Sequence, residues 1–210
     1  MTIINGYASL AELRAKLAFG ATNTASDTQL EQLIEASSRW IERYTGRRFY
    51  GAAETRYYTA EDGHEILVDD LTSVSVLKTD DNGDGTFETT WASTAYNLKY
   101  GDNYNAALDS KPYTQIEVSE IGTLTFPTAI RKGVMVAGTF GYVSSTASTS
   151  GCPDPIHDAA LLLAERIYKR KDAPLGIAGP AALGQQPVRI TSMSADPDIR
   201  DLLDPYRRLV

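Results

Sequence analysis

Apolar residues recur with helical spacing between Ser26 and Phe49, and this stretch predicts an amphipathic helix. Ser26 and Gln29 match a capping box at its start, and Gly46 supplies a left-handed stop at its end. Nothing in the stretch points to catalysis, so we interpret it as a packing element. Its apolar face comprises Leu30, Leu33, Ile34, Ser37, Ile41 and Tyr44.

Three further stretches predict helices. Ser9 and Glu12 match a second capping box, at the start of a short first helix. A helix from Asp154 to Lys171 is apolar over much of its circumference and ends on basic residues, as the helix dipole favours. Asp196-Pro197 marks the start of a short last helix.

Between these helical stretches the hydrophobic period changes to two, which predicts strands of an antiparallel sheet or small barrel. Residues 101–112 are too long for a tight turn and predict a loop. The predicted strands are ETRYYTA, HEILVDD, SVSVLKTD, TFETTW, AYNLKY, YTQIEVS and GVMVAGTFGY.

The order of helices, sheet and helices predicts an α+β fold in which a small helical bundle is interrupted by an inserted antiparallel β domain. Neither helical half closes a core alone, so residues 1–50 and 151–210 are expected to form one domain. Residues 51–143 form the predicted insertion. Residues 144–150, rich in Ser and Thr, form the predicted linker.

Composition narrows the class of protein. A hydrophobic fraction of 42% and a charged fraction of 22% are those of a globular protein, and no apolar run reaches the ~20 residues of a membrane span. The single cysteine, Cys152, excludes an internal disulfide, and the N-terminus lacks a signal-peptide layout, so we expect folding in a cytoplasm. The net charge of −7 argues against a sequence-reading nucleic-acid protein.

One motif has the spacing of a metal site. Asp80, Asn82 and Asp84, followed by a glycine, match the first half of an EF-hand calcium loop. Position 12 is Trp91 where a bidentate glutamate is needed, and the flanks predict strands. We therefore favour a hairpin turn whose glycines supply positive φ, and keep a calcium site as the alternative. The corresponding alternative function is a non-enzymatic β-domain protein that binds a ligand or calcium.

The sequence shows no catalytic constellation. His64 and His157 lack a second histidine at ligand spacing, and nothing near Cys152 indicates a thiolate nucleophile. No phosphate-binding glycine loop or Ser/His/Asp set stands out. We therefore expect neither enzymatic activity nor a cofactor.

Two stretches are candidates for contact with other proteins. The arginines Arg43, Arg47 and Arg48 at the end of the long helix either pair across an interface or are simply solvated. Residues 172–189 are nearly uncharged and rich in Gly and Pro, and either lie along their own domain or dock on a partner. The apolar residues of that segment are Leu175, Ile177 and Leu183.

Several motifs together resemble the head–tail connector, or adaptor, proteins of long-tailed bacteriophages, including prophage and gene-transfer-agent relatives. The resemblance spans nearly the whole chain, and each motif is short and structural. The motifs are ASLAEL, LIEASSRWIERYTGRRFY followed by TRYY, TDDNGDGTFE, KGVMVAGTFGY, LLLAERIYKRKDAPLG and DPDIRDLLDPYRR.

This resemblance implies a structural virion protein at the head–tail junction, made in the bacterial cytoplasm. It would form a ring, twelvefold by expectation, beneath the portal protein, and would present a docking surface to a tail-side connector or completion protein. DNA would pass through the lumen without specific binding, and the protein alone can be monomeric because such rings often need the portal as template. The resemblance adds Tyr206, Arg207 and Arg208 to the expected contact residues.

Overall fold

The computed structural model describes residues 3–19, 24–120, 123–144, 151–170, 177–178, 188–189 and 196–208. The described residues form four α-helices and a six-stranded antiparallel sheet, which confirms the predicted α+β class. The chain divides into two compact units. We call Met1–Arg47 with Ser148–Val210 the helical unit, and Arg48–Ala147 the β unit.

Helix α2 (Asp27–Thr45) is the longest helix described in the helical unit. Its side chains Leu30, Ile34 and Ile41 are fully buried, as the helical spacing predicts. Each such side chain stabilises the fold by roughly 1.5–3 kcal/mol relative to an exposed one. Gly46 ends the helix at φ 68°, a left-handed conformation in which its N–H donates to the Glu42 carbonyl.

The other described helices pack around α2 and one another. Helix α3 packs against α1, α2 and α4, and it buries residues on several sides, as its broad apolar face predicts. The bounds are α1 Leu10–Lys16, α3 Asp154–Arg170, α4 Pro197–Leu203 and a 3₁₀ helix Asp204–Tyr206.

The two predicted capping boxes have different outcomes. The box at Ser9 is confirmed: its hydroxyl accepts the Glu12 N–H at 3.3 Å, and the Glu12 carboxylate accepts the Ser9 N–H at 2.8 Å. The box at Ser26 is wrong. Ser26 has ψ near 0°, outside the extended conformation of a side-chain cap, and its side chain makes no capping hydrogen bond.

The β unit is an antiparallel sheet with strand order β1-β6-β2-β5-β4, and β3 pairs with β2 off this path. Residues 101–112, between β4 and β5, form turns, as the sequence predicts. The strands are β1 Ala52–Tyr58, β2 Glu65–Thr79, β3 Thr89–Thr90, β4 Tyr96–Lys99, β5 Tyr113–Val118 and β6 Val134–Phe140. Two further two-residue strands, β7 Ile177–Ala178 and β8 Val188–Arg189, pair with each other.

The stretches HEILVDD and SVSVLKTD form one strand, and the prediction of two was wrong. The first half of β2 pairs with β5 and the second half with β6, and the register shifts between Leu71 and Ser73 and between Val74 and Val76. Such irregularities bend a strand without ending it. TFETTW is also shorter than predicted, because pairing is limited to Thr89–Thr90.

One face of the sheet buries the core of the β unit. Trp91 stacks on Phe126 with ring centroids 4.6 Å apart, and its indole N–H donates to the Thr79 hydroxyl at 3.2 Å. This bond satisfies the indole donor on burial. The core residues include Ile66, Val68, Leu71, Leu77, Ile116, Val134, Val136 and Phe140. Among the described residues, no helix is long and apolar enough to cross a membrane.

Candidate assembly surface

Tyr44, in the last turn of α2, is the centre of a surface shared with α4 and the 3₁₀ helix. Its hydroxyl donates to Asp204 Oδ1 at 2.5 Å, and its ring stacks on Trp40 with centroids 5.3 Å apart. The guanidinium of Arg207 lies 5.3 Å from the centroid of the Tyr44 ring. A hydrogen bond with Tyr44, followed by attraction to nearby carboxylates, raises the pKa of Arg200.

Arg43 extends this surface along α2. It follows Trp40 by three residues, so the two side chains are neighbours on the helix, and Arg43 is exposed. Arg200 and Arg207 are exposed as well. The exposed carboxylates on α4 and the 3₁₀ helix are Asp198, which pairs with Arg166 at 2.8 Å, Asp201 and Asp204. We call Trp40, Arg43, Tyr44, Arg200 and Arg207 the arginine surface.

The remaining predicted contact residues of the helical unit are more enclosed. Arg47 and Arg208 are half-buried, and the Arg208 N–H donates to the Thr45 carbonyl at 2.8 Å, which fixes the end of the described chain to the end of α2. Tyr206 is half-buried too, and burial raises the pKa of its hydroxyl. These three side chains are therefore less exposed than those of Arg43, Arg200 and Arg207.

Arg48 belongs to the β unit, where it is engaged internally. Its guanidinium donates to Glu54 Oε1 at 2.6 Å and to the Phe140 carbonyl at 2.8 Å, and it lies over the Tyr50 ring. Its hydrogen bond is the largest effect on the pKa of Glu54, which is lowered with help from Arg56. These contacts join Arg48 to other residues of the β unit.

Of the predicted contact segment 172–189, the structure describes only the residues of β7 and β8. Leu175 and Leu183 lie outside the described residues. Ile177 is in β7, where its backbone pairs with Arg189, and its side chain lies outside the description. The expectation that this segment contacts a partner stays a prediction.

The loop containing Asp80, Asn82 and Asp84 has the predicted turn geometry. Gly83 and Gly85 have φ of 81° and 87°, which the motif's two glycines accommodate. Asp80 is 3% exposed. Its Oδ1 accepts the N–H of Asn82 and of Gly83, and its Oδ2 accepts the N–H of Gly85, so backbone donors satisfy both oxygens.

A metal-like grouping is nevertheless present in that loop. Oxygens of Asp80, Asp84 and Glu88 lie within 4.8 Å of one another. Glu88 accepts from the Asn82 amide at 2.7 Å, and the N–H and hydroxyl of Thr86 lower the pKa of Asp84. Three carboxylates are fewer than the six to eight oxygen ligands that Ca²⁺ takes, which favours the turn over the calcium site. The calcium site stays a prediction.

A second charged cluster holds strands together. Lys99 is 7% exposed, and its ammonium contacts Glu65 at 3.0 Å and Glu117 at 2.9 Å. Hydrogen bonds to these two carboxylates hold the pKa of Lys99 well above its usual range. Tyr104 and Lys99 both donate to Glu117, which lowers its pKa. The contacts link β2, β4 and β5 and account for the perturbed pKa values structurally.

The thiol and the imidazole of the helical unit also have structural partners. Burial raises the pKa of Cys152 to about 11, so the thiol stays protonated near neutral pH and is a poor nucleophile. His157 Nε2 lies 3.2 Å from Glu12, across from α3 to α1. Neither arrangement provides a nucleophile with its base.

The excess negative charge is located in one unit. The helical unit has thirteen Lys and Arg residues and thirteen Asp and Glu residues, so its formal charge is zero. The β unit has seven Lys and Arg residues against fourteen Asp and Glu residues, which gives −7, the charge of the whole chain. The arginine surface thus lies on the neutral unit.

Comparison with solved structures finds the fold in gene transfer agent particles. One match is to "Neck of empty GTA particle computed with C6 symmetry", with TM-score 0.58 and 20% identity over 100% of this chain and 94% of that chain. Another is to "Neck of native GTA particle computed with C12 symmetry", with TM-score 0.57 and 19% identity over 100% and 93%. A third is to "Virion of native gene transfer agent (GTA) particle", with TM-score 0.55 and 21% identity over 100% and 94%.

The likeness is one of fold. At about 20% identity it shows that this chain shares the architecture of those neck and virion chains along its full length. The sequence matches no protein-family model and no curated protein.

Sequence reasoning missed part of the arginine surface. The contacts of Tyr44 with Asp204 and Arg207 span about 160 residues of chain, and local patterns carry no information on them. The stacking of Trp40 on Tyr44 had a signal, since aromatic residues four apart on a helix are neighbours. That spacing predicts the contact between Trp40 and Tyr44, which both belong to the arginine surface.

Proposed function

We propose that this protein is a non-enzymatic head–tail connector of a phage-like particle. It forms a ring beneath the portal, extends the DNA conduit and presents a docking surface to tail-side proteins. Twelve copies match the symmetry expected of the portal and tail axis. The particle's head–tail junction is its site of action.

The observation that carries the proposal is the full-length fold match to chains of gene transfer agent necks, which were computed with C6 and C12 symmetry. The alignment covers 100% of this chain and 93–94% of those chains, so both units take part in the likeness. The proposal accordingly assigns this chain to the neck of its own particle.

The helical unit supplies the ring wall in this proposal. Its exposed arginines, Arg43, Arg200 and Arg207, surround aromatic rings that are already held in place by Asp204 and by stacking. Arginine and aromatic side chains are enriched in protein interfaces because they give large contact areas at low entropic cost. Segment 172–189 and the chain beyond Asp196 reach neighbouring subunits or the portal.

The excess of negative charge also fits a DNA conduit. The chain's net charge of −7 gives a ring of many copies an acidic surplus that repels phosphates. A wall of this sign lets DNA slide, whereas a basic wall would hold it through many phosphate contacts. Specific DNA binding is therefore not part of the proposed function.

The test is assembly with the portal protein encoded by an adjacent gene. Mixed at equal subunit ratio, the two proteins should form a complex whose mass by light scattering fits a ring of this chain on the portal. A chain that stays separate from both the portal and the tail protein encoded beside it would contradict the proposal.

A variant with Leu175, Ile177 and Leu183 all changed to Ser tests the reaching segment in the same assay. We expect an unchanged melting temperature and loss of assembly, because the three apolar side chains serve a partner. Thr123→Ser, an exposed change in the β unit, is the control that should assemble. Loss of the fold in the triple variant would show instead that the segment packs on its own unit.

A further inference from the structure

The β unit has a concentration of exposed carboxylates at one end. Tyr58, Thr79 and Val134 lie in one row across β1, β2 and β6, so the loops adjoining them share an end of the sheet. The Lys132 N–H donates to the Thr59 hydroxyl at 2.9 Å, and the Asp80 N–H to the Gly133 carbonyl, which holds these loops together.

We call loops 59–64 and 80–88 at this end the acidic end. It presents five exposed carboxylates, and the exposed cations on the adjoining loop 123–133 number two, Arg131 and Lys132. The half-buried Lys78 and the buried Asp80 offset each other. The exposed carboxylates are Glu61, Asp62, Asp81, Asp84 and Glu88.

The arginine surface has the opposite local charge. Arg43, Arg200 and Arg207 are its three exposed cations. Of the exposed carboxylates on α4 and the 3₁₀ helix, Asp198 pairs with Arg166, Asp204 accepts the Tyr44 hydroxyl, and the third is Asp201. The helix dipole of α2 places partial negative charge at this end, which holds cations there. The surface is thus a rim of arginines around two stacked aromatic rings.

We propose that the arginine surface of one copy binds the acidic end of the next copy, so that subunits join head to tail. The inference rests on the proposed ring and names its contact surfaces. The two surfaces differ, and repeating such a heterologous contact gives a ring when its rotation closes. A twofold contact through either surface alone would instead bring arginine against arginine or carboxylate against carboxylate, which costs free energy.

A nucleic acid is the other chemistry that arginines and aromatic rings can serve. The chain's net charge of −7 opposes phosphate binding at long range, whereas it supplies the carboxylates for a contact between copies. The observations therefore favour a second copy of this chain. Nucleic-acid binding is an outcome that the experiment can reveal.

Reciprocal charge reversal tests the proposal. One variant has Arg43→Glu with Arg207→Glu, and the other has Asp81→Lys with Asp84→Lys. Each variant alone places like charges in every contact, and we expect about tenfold or more protein to be needed for the same fraction of rings on the portal. Mixed one to one, the variants should assemble like the wild type, because each contact in an alternating ring then joins opposite charges.

The matched control is Asp102→Lys with Asp109→Lys, on the exposed loop 101–112 away from the acidic end. It raises the net charge by as much as Asp81→Lys with Asp84→Lys does, and should leave assembly unchanged. Melting temperatures of all variants establish that they fold. Equal loss in this control, or a mixture no better than either variant alone, would overturn the proposal.

Cross-linking gives a result that does not depend on the portal. Arg207→Cys and Asp84→Cys, each with Cys152→Ser, are mixed at high protein concentration and treated with a short bismaleimide. We expect a cross-linked pair of chains. Its yield should fall as salt is added and should exceed the yield obtained with Asp109→Cys. No excess over Asp109→Cys would contradict the contact.

The outcomes separate the two proposals. Rings that form normally from every charge-reversed variant would overturn the contact and leave the connector function standing. Absence of any ring from wild-type protein with its portal would contradict the connector function, while the cross-link still decides whether the two surfaces meet. Normal rings with loss of DNA binding in the arginine variant would assign the surface to nucleic acid.

Discussion

At the scale of single residues, the loop at Asp80 shows how a motif can match a metal site and serve as a turn. Its most buried carboxylate already accepts three backbone N–H groups, and buried acceptors satisfied in this way stabilise a turn without an ion. The sequence predicted the positive φ of the loop glycines, and it showed that position 12 of the calcium motif lacks a glutamate. It could not show that backbone donors occupy both oxygens of Asp80.

We predict that calcium leaves the melting temperature of the protein unchanged. The loop presents three carboxylates, too few for the coordination that Ca²⁺ requires, and Asp80 would have to give up backbone hydrogen bonds to bind it. Thermal unfolding with millimolar calcium and with a chelator measures this. A rise of several degrees that Asp84→Ala abolishes, and Asp109→Ala retains, would contradict the prediction.

The arginine surface was predictable in part at the residue scale. Arg43 and Arg207 were expected contact residues, and both are exposed. Arg48 was grouped with them because it follows closely in sequence, yet its partners Glu54 and Phe140 lie on β1 and β6. Ion pairs of this kind depend on the fold, so sequence proximity could not predict them, and the expected partner contact of Arg48 stays a prediction.

At the scale of elements, periodicity predicted helices and strands well wherever one face is buried. The spacing of Leu30, Ile34 and Ile41 predicted the buried face of α2, and the alternation in β6 gave its inward positions. The bend in β2 escaped prediction, because the alternation of buried and exposed residues changes phase between HEILVDD and SVSVLKTD. When the pairing strands are unknown, such a shift is mistaken for the end of a strand.

The two candidate caps give a matched pair of substitutions. Ser9→Ala removes the side-chain acceptor that satisfies the Glu12 N–H, and we expect a loss of about 0.5–2 kcal/mol in the free energy of unfolding. Ser26→Ala removes a side chain with no capping bond and should change the stability by a few tenths of a kcal/mol at most. Urea denaturation of the two variants measures both. Equal losses would contradict the assignment of caps.

Strand β1 lies at the edge of the sheet and carries charged residues that protect this edge. Glu54 and Arg56 project from it into a network with Arg48 and Asp69, in which three ion pairs each span 2.6 Å. Inward-pointing charges on an edge strand discourage pairing with another chain. Assembly through side-chain surfaces, as proposed, is consistent with an edge protected against strand addition.

At the scale of the whole molecule, charge is segregated between the units. The helical unit is formally neutral and the β unit carries −7, although the sequence as a whole suggests only a mildly acidic protein. The sequence alone supported an interface at the arginines, but the acidic partner surface emerged from the strand register that brings loops 59–64 and 80–88 to one end. That arrangement supports the proposed head-to-tail contact between unlike surfaces.

The most direct test of the connector function is electron cryo-microscopy of the neck of a particle that contains this chain. The proposal predicts one closed ring of its copies, twelve by expectation, between the portal and the tail. Density for the chain elsewhere in the particle, or a neck complete without it, would contradict the proposal.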